Sequence, residues 1–287
     1  MLKKVKYFVH FHKDFPHAQD STWVIPTVYE NKAGLVKNAI CLSRYEPSVR
    51  SVFSSFEPLD DERIGYLSQT IAAEYWILHH LKDVDYVGVT GYRRYPLFRH
   101  DRTNPIKKLG TTATLDHLAT LTHNSHLPVI NDILDTYEAI TVKKIHCGGS
   151  IKSQFLRSQR PEIWTHFIDS IARVVPEYKR WLGWFELENE THVCGPMGLT
   201  HLPMFKEYAD MYIRIVVDML KWVENPFLCT DDQAHAKTDR WIGYLAERFY
   251  PFFLFVNNVK IYQVPMIFLA DPSLVQNSAM NQSISSG

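Results

Sequence analysis

Residues 65–91 read GYLSQTIAAEYWILHHLKDVDYVGVTG and contain the two patterns that decide the fold. Between residues 65 and 81, apolar side chains recur every three or four positions, at Leu67, Ile71, Tyr75 and Leu78. This spacing predicts a helix with one buried face. Residues 85–91 are apolar and end at a glycine, which predicts a short buried strand. A helix that leads into a buried strand is typical of a parallel sheet covered by helices.

The same two patterns recur along the rest of the chain. Strands are predicted at residues 5–12, 39–43, 139–142 and 260–264, and helices at residues 161–175, 203–223 and 238–249. The polar stretch at residues 99–131 is predicted to hold loops and one short helix. We therefore expect an α/β fold in which residues 1–270 form one domain with an insertion. Residues 271–287 are rich in Ser, Asn and Gln and are predicted to form a mobile tail.

Composition argues against several classes of protein. The 287 residues carry 31 basic and 31 acidic side chains, a balance that argues against a nucleic-acid partner held by a broad basic face. The four cysteines form no CxxC pair, as in a reduced cytosolic protein.

No stretch of the chain approaches the roughly 18 consecutive apolar residues that a membrane-spanning helix needs. The first residues also lack the pattern of a signal peptide. We expect a cytoplasmic protein, with peripheral contact at the inner membrane as an alternative. The aromatic run at residues 249–255 is a candidate for that contact, but we expect it to lie in the core. The sequence leaves the oligomeric state open.

An arginine pair follows the predicted strand at residues 85–91, in the order Gly91-Tyr92-Arg93-Arg94-Tyr95. In open α/β sheets, ligands bind beyond the carboxyl ends of the strands. Guanidinium groups hold phosphate oxygens in pairs, and a tyrosine adds a hydroxyl donor or a stacking face. The pattern predicts a clamp for a diphosphate. The alternative is an arginine pair held in salt bridges with nearby acids.

Two histidines come at the carboxyl end of the first predicted strand, in His10-Phe11-His12-Lys13. Side chains alternate along a strand, so His10 and His12 point the same way. They fit a zinc site, a ligand-contacting edge or simple packing. A barrel hydrolase with such a site would also need eightfold alternation of strands and helices, which the chain lacks.

Two pairs of carboxylates are candidates for chemistry. Asp83-Val84-Asp85 matches the Asp-x-Asp of metal-dependent sugar transferases, but it precedes its strand, and we interpret it as a solvated turn. Asp231 and Asp232 lie in the loop before the predicted helix at 238–249. Either of them fits a general base for a sugar hydroxyl or a helix cap.

Residues 66–78 and 85–95 together resemble a bacterial family without an assigned function. Its members occur in capsule, O-antigen and exopolysaccharide gene clusters and are treated as glycosyltransferases. In that family a helix ending in Tyr-Trp precedes Asp-Tyr-Val-Gly and then His-Tyr-Arg-Arg-Tyr. Residues 4–13, 193–208 and 239–249 are also similar to family stretches, in the same order, so the resemblance spans about residues 3–265. The chain departs from the family at Thr70, Gly91 and residues 195–197, where the family has Glu, His and Asn-Met-Phe.

The resemblance implies a GT-A-like fold with a nucleotide-binding sheet, helices on both faces and an acceptor-side insertion. Matched by position, His12 and Lys13 would line the nucleotide pocket, and Tyr92, Arg93, Arg94 and Tyr95 would lie near the diphosphate. Arg240, Glu247 and Arg248 match the last family helix, where their role is open.

The function implied is transfer of a hexose, with galactose or galactofuranose as first candidates, from a UDP-sugar to a bacterial surface polysaccharide or a lipid-linked glycan. Asp231 or Asp232 would be the catalytic base, and Mg²⁺ or Mn²⁺ is an optional cofactor. Two alternatives remain. One is a metal-dependent hydrolase that uses His10 and His12, and the other is a non-catalytic carbohydrate-binding or assembly subunit with the same fold.

Overall fold

The structure is a computed structural model that describes residues 2–11, 21–29, 38–42, 71–91, 93–98, 112–113, 118–191, 197–223 and 241–269. The described strands are β1 (Val5–Phe11), β2 (Val24–Tyr29), β3 (Ile40–Leu42), β4 (Tyr86–Gly91), β5 (Arg94–Pro96), β6 (Thr112–Ala113), β7 (Ala139–Val142), β8 (Ile145–His146), β9 (Glu190–Thr191), β10 (Gly198–His201), β11 (Ile261–Val264) and β12 (Met266–Leu269). The described α-helices are α1 (Ala72–His80), α2 (Leu118–Leu121), α3 (His126–Leu134), α4 (Ile151–Leu156), α5 (Pro161–Val174), α6 (Trp184–Leu187), α7 (Leu202–Leu220) and α8 (Trp241–Val256). A 3₁₀ helix, Pro176–Trp181, follows α5.

Seven of the described strands form the central sheet, in the order β11-β7-β10-β4-β1-β2-β3. The pairs β1–β2, β1–β4, β2–β3 and β7–β11 are parallel, whereas β10 is antiparallel to both β4 and β7. Six strands therefore run in one direction and end at the same side of the sheet, which we call the carboxyl edge. The predicted α/β fold with a mainly parallel sheet is confirmed.

The sheet is covered on both faces. Side chains alternate along β1, so Phe8 lies in one hydrophobic cluster while Tyr7 and Val9 lie in another. The cluster around Phe8 contains the buried faces of α1, α5, α7 and α8. The cluster around Tyr7 contains Ile130 of α3 and residues of β5 and β12. No helix in the described residues is long and apolar enough to cross a membrane.

Most predicted elements are present in the structure, with adjusted ends. The strand predicted at residues 139–142 is β7, and the helix at 203–223 is α7. The helix predicted at 65–81 is α1, and residues 65–70 lie outside the described residues. The stretch at 99–131 holds α2 and the start of α3 where one short helix was predicted. The predicted tail at 271–287 also lies outside the described residues.

The last helix continues beyond its predicted end. The sequence predicts a stop near residue 249, but α8 passes through Pro251 and ends at Val256. A proline inside a helix costs about 3 kcal/mol because it removes a hydrogen bond. Burial offsets this cost, since Phe249, Tyr250, Phe252 and Phe253 are fully buried. The aromatic run therefore lies in the core, as predicted, except that Phe255 is 45% exposed.

Two glycines let the reversed strand β10 fit between its neighbours. A Cβ atom on Gly88 of β4 would overlap the carbonyl oxygen of Gly198, and one on Gly198 would overlap the carbonyl oxygen of Ile140 in β7. Gly198 also has a φ of +140°, which disfavours any other residue. In contrast, no atom of the described residues lies within 4 Å of a Cβ placed on Gly91, at the end of β4.

We predict that Gly88→Ala destabilises the protein strongly, whereas Gly91→Ala, a matched control in the same strand, changes stability little. The overlap at Gly88 involves backbone atoms that cannot move without separating β4 from β10, so the loss should exceed about 2 kcal/mol. Urea denaturation of both variants measures the difference. Equal midpoints for the two variants would contradict this account of the sheet.

A carboxyl group lies in the core between helices. Glu74 of α1 is 4% exposed, and burial raises its pKa to about 7. Its electrostatic effect reaches Tyr208 and Tyr212 of α7, and burial raises the pKa of both phenols well above the usual value. The folded protein thus binds a proton on Glu74 that the unfolded chain releases at lower pH.

We predict that Glu74 makes the folding stability fall as the pH rises. Its stabilising contribution is complete below the unfolded pKa of 4.5 and is lost as the pH rises through the folded value of about 7; the full span corresponds to about 3 kcal/mol. The variant Glu74→Gln should therefore lose less stability than wild type between about pH 5 and about pH 8. Denaturation at both pH values tests this, with the exposed Glu207→Gln as control. A wild-type pH dependence in Glu74→Gln would overturn the prediction.

Candidate functional site

The carboxyl edge brings the ends of β1 and β4 side by side. The two strands are parallel neighbours, and His10 is paired in register with Gly91. Arg93 lies in a turn, and the Thr90 hydroxyl donates a hydrogen bond of 2.9 Å to the carbonyl oxygen of Arg94. The turn after β4 therefore lies at the edge where the sequence predicts a ligand site.

A second, three-stranded sheet holds this turn in place. It has the order β5-β12-β6, and β5 and β12 begin immediately after β4 and β11 of the central sheet. The amide of Leu269 donates to the carbonyl oxygen of Arg93 at 2.8 Å, and the amide of Leu97 donates to that of Pro265 at 2.8 Å. Two strands that are not neighbours in the central sheet are thus joined beyond its carboxyl edge, and the arginine turn is fixed from both sides.

The arginine pair differs from the tyrosine that follows it in exposure. Arg93 is exposed, and Arg94 is half-buried with its guanidinium carbon 5.7 Å from the centre of the Phe268 ring. Among the described residues no carboxylate forms an ion pair with Arg94, so stacking and not a salt bridge positions this cation. Tyr95 is 2% exposed, and burial raises the pKa of its phenol. Its ring therefore anchors the turn in the core, and the arginines are the groups that the turn presents.

His10 lies beside this turn. Its Nδ1 atom is 3.3 Å from the Thr27 hydroxyl oxygen, and that hydroxyl donates to the carbonyl oxygen of Val9 at 3.3 Å. His10 is therefore held by the neighbouring strand β2. A Cβ atom on Gly91 would meet no atom of the described part of the chain within 4 Å, so the histidine expected there from the resemblance could begin at this position without overlap. The departure at Gly91 is therefore compatible with the fold, and it leaves no side chain at the position paired with His10.

Other cations follow the strands farther along the edge. Lys143 directly follows β7 and is exposed, and its amide donates to the carbonyl oxygen of Val264 at 2.8 Å. Lys144 lies next to it and binds Glu188 at 3.2 Å. Lys143 is not among the predicted site residues, although it directly follows a predicted strand, which is the same signal that identifies the arginines.

Several predicted site residues cannot be placed. The residues that lie outside the described part of the chain are His12, Lys13, Tyr92, Asp231, Asp232 and Arg240. Within the described part, no three or more His, Cys, Asp or Glu side chains form a group that could hold a metal ion.

The Asp-x-Asp sequence lies at the side of the sheet opposite the carboxyl edge. Asp83 is exposed in a turn with a φ of 56°, and the Asp85 carboxylate accepts the backbone N–H of Lys4 at 2.7 Å. Both residues come before β4 begins. The interpretation as a solvated turn is confirmed.

Glu247 and Arg248 belong to a buried network. The Arg248 side chain is 4% exposed, donates to Glu247 at 3.0 Å and to the Gln154 side chain of α4 at 2.7 Å, and lies over the rings of Phe155 and Tyr244. These contacts join α8 to α4. They indicate a structural role for the pair, and no sequence pattern predicts that Gln154 takes part.

Comparison with known proteins agrees with this fold. The family described as a domain of unknown function (DUF4422) matches residues 69–258. The chain belongs to this family. No curated protein matches the chain.

Among solved structures, that of the apo WbbM bifunctional glycosyltransferase is similar, with a TM-score of 0.69 and 16% identity. The match covers 93% of this chain and 46% of that chain, so this chain spans about half of the larger protein. At this identity the likeness shows that the DUF4422 chain shares the fold of a glycosyltransferase structure.

We predict that Arg248→Met destabilises the DUF4422 chain by about 3 kcal/mol, because it removes the buried cation that binds Glu247 and leaves Gln154 without its donor. The matched variant Arg93→Met removes an exposed arginine and should change stability by less than about 0.5 kcal/mol. Thermal denaturation of both variants measures the difference. An unchanged melting temperature for Arg248→Met would show that the network has no structural role.

Proposed function

We propose that this protein is a glycosyltransferase that transfers a hexose from a UDP-sugar to a glycan or lipid-linked glycan of the bacterial surface. The observation that carries the proposal is the arginine turn Arg93–Arg94, fixed at the carboxyl edge of a sheet whose fold is shared with a glycosyltransferase structure. Galactose, in its pyranose or furanose form, is the first donor sugar to test.

The chemistry of the reaction explains why cations belong at this edge. The bond between the sugar C1 atom and the diphosphate oxygen breaks, its electron pair leaves with UDP, and the acceptor oxygen forms the new bond to C1. In our proposal Arg93 and Arg94 stabilise the negative charge that grows on the departing diphosphate. Asp231 or Asp232 takes the proton of the acceptor hydroxyl.

The charge of the described carboxyl edge supports neutralisation by side chains. Arg93, Arg94 and Lys143 are cations there, and the Asp-x-Asp sequence lies on the opposite side of the sheet. That sequence therefore does not fit a metal site beside the donor. Mg²⁺ or Mn²⁺ stays an optional cofactor in the proposal, and the binding experiment below is run with and without Mn²⁺.

Gly91 favours a second candidate function. The resemblance places a histidine at this position, and a protein that keeps the fold but loses a reactive side chain could bind a nucleotide or a carbohydrate without turnover. The hydrolase alternative has no comparable support in the described residues, where His10 is held by Thr27 and the carboxyl edge shows no cluster of metal ligands.

We predict that the protein binds UDP more tightly than GDP and that Arg94→Gln weakens UDP binding. Loss of a charged hydrogen bond to phosphate costs about 1.5–3 kcal/mol, which corresponds to roughly tenfold to a hundredfold in Kd. Arg93→Gln should act in the same direction. Titration calorimetry with and without Mn²⁺ measures the affinities, and Arg214→Gln, an exposed arginine paired with Asp210 on α7, is the control.

Turnover separates the two candidate functions. Release of UDP from UDP-galactose in the presence of a glycan acceptor would support the transferase, whereas UDP binding without turnover of any UDP-sugar would support the binding subunit. Absence of UDP binding, or equal affinity in Arg94→Gln and wild type, would overturn the placement of the diphosphate.

A further inference from the structure

Four apolar side chains form an exposed ridge away from the arginine turn. The aromatic ridge consists of Trp181 at the end of the 3₁₀ helix, Trp184 and Leu187 of α6, and Phe255 near the end of α8. Trp181 is 38% exposed, Phe255 45% and Leu187 86%. Trp184 stacks on Phe255 with ring centres 5.5 Å apart, and Trp181 meets the same ring edge-on at 5.7 Å. The three rings therefore make one continuous surface.

The ridge is rigidly supported from below. Trp184 also contacts Phe252 and Phe185, with ring centres 5.6 Å and 5.3 Å away, and both of these residues are buried. The exposed rings are thus fixed by the core and cannot turn inward without disrupting it. A fixed, contiguous apolar patch on a folded protein marks a surface that contacts a partner.

The charges around the ridge identify the kind of partner. Arg180 stacks on Trp181, with its guanidinium carbon 5.1 Å from the ring centre. Lys179 and Arg180, together with Pro176 and Glu177, line an open depression of about 540 Å³. Neither cation forms an ion pair with a described residue. Of the nearby acids, Glu186 binds Lys152 at 2.6 Å and Glu188 binds Lys144 at 3.2 Å. Glu177 forms no ion pair with a described residue, so Lys179, Arg180 and Glu177 together give the depression a net positive charge.

We propose that the aromatic ridge and the Lys179–Arg180 pair bind the surface of an anionic phospholipid bilayer. Tryptophan and phenylalanine rings partition into the headgroup region, and adjacent lysine and arginine side chains bind the lipid phosphates. Aromatic and arginine side chains are also enriched in protein interfaces, whereas lysine is depleted there. The exposed Lys179 therefore favours the bilayer, and self-association is an outcome of the test below. The proposal does not rest on the glycosyltransferase function, because the ridge shares no residue with the arginine turn.

The chain contains a matched control for this surface. Lys221 and Trp222 are also an adjacent cation and tryptophan, and Trp222 is 54% exposed. They follow α7, which is antiparallel to α8, since Tyr212 binds the carbonyl oxygen of Ile242 and Tyr208 contacts Phe253. The end of α7 therefore lies beside the beginning of α8, far from Phe255. Replacement of Lys221 and Trp222 also removes one cation and one tryptophan, but it leaves the aromatic ridge intact.

We predict that wild-type protein cosediments with vesicles of phosphatidylcholine mixed with phosphatidylglycerol, and less with vesicles of phosphatidylcholine alone. The double variant Arg180→Gln/Trp181→Ser should bind the anionic vesicles at least about tenfold more weakly, since one cation near the membrane surface contributes about 1 kcal/mol and the ring adds to it. Lys221→Gln/Trp222→Ser should bind like wild type. Leu187→Ser, which removes an almost fully exposed side chain, weakens binding without a risk to folding.

Three outcomes would overturn the proposal. They are failure of the wild type to bind anionic vesicles, equal binding by the two double variants, and a wild-type dimer in light scattering that becomes a monomer in Arg180→Gln/Trp181→Ser. The last result would assign the ridge to self-association. UDP affinity of the ridge variant is measured in parallel, so that a failure at the nucleotide site is distinguished from a failure at the ridge.

Discussion

The close approach of β4, β10 and β7 is the constraint on which the rest of the structure depends. β10 is antiparallel to both neighbours. At Gly88 and Gly198 the three backbones approach so closely that a Cβ atom would overlap a carbonyl oxygen of the next strand. The ring of Tyr7 in β1 covers Gly88 from the side, so four adjacent strands meet at this point. Strands in a sheet lie about 4.8 Å apart. That spacing sets the lateral distance between β4 and β7, and with it how far the arginine turn lies from Lys143 along the carboxyl edge.

At the small sheet, the residues that hold the arginine turn in place are different from the arginines that the turn presents. Tyr95 and Phe268 pack on the turn, and backbone hydrogen bonds with Leu269 and Pro265 fix it. The backbone at Arg93 and Arg94 is therefore held on a rigid frame, and no described carboxylate forms an ion pair with Arg94. A preorganised cation of this kind stabilises developing negative charge without the cost of moving during the reaction. Arg248 has the same charge but is buried, and it binds α4 to α8 instead.

The sequence predicted those parts of the molecule that depend on local pattern. The apolar period of α1, the alternation in β1 and the arginines after β4 can be read from neighbouring residues. The strands β2 and β12 could not, because Pro26 lies within one and Pro265 precedes the other, and pairing with distant strands decides both. The antiparallel direction of β10 also cannot be predicted from the spacing of its apolar residues. The role of Arg248 depends on Gln154, whose contact with it comes from tertiary packing alone.

Pro251 has a consequence beyond the continuation of α8. A proline has no N–H group, so the carbonyl oxygen of Glu247, four residues earlier, loses its partner within the helix. That oxygen instead accepts a hydrogen bond from the hydroxyl of Thr191 in β9, at 3.4 Å. Because Pro251 cannot donate to it, the Glu247 carbonyl oxygen inside α8 is available to bind a different segment of the chain. The two-stranded β8–β9 sheet is thus attached to α8 at the carbonyl group that has no partner within the helix.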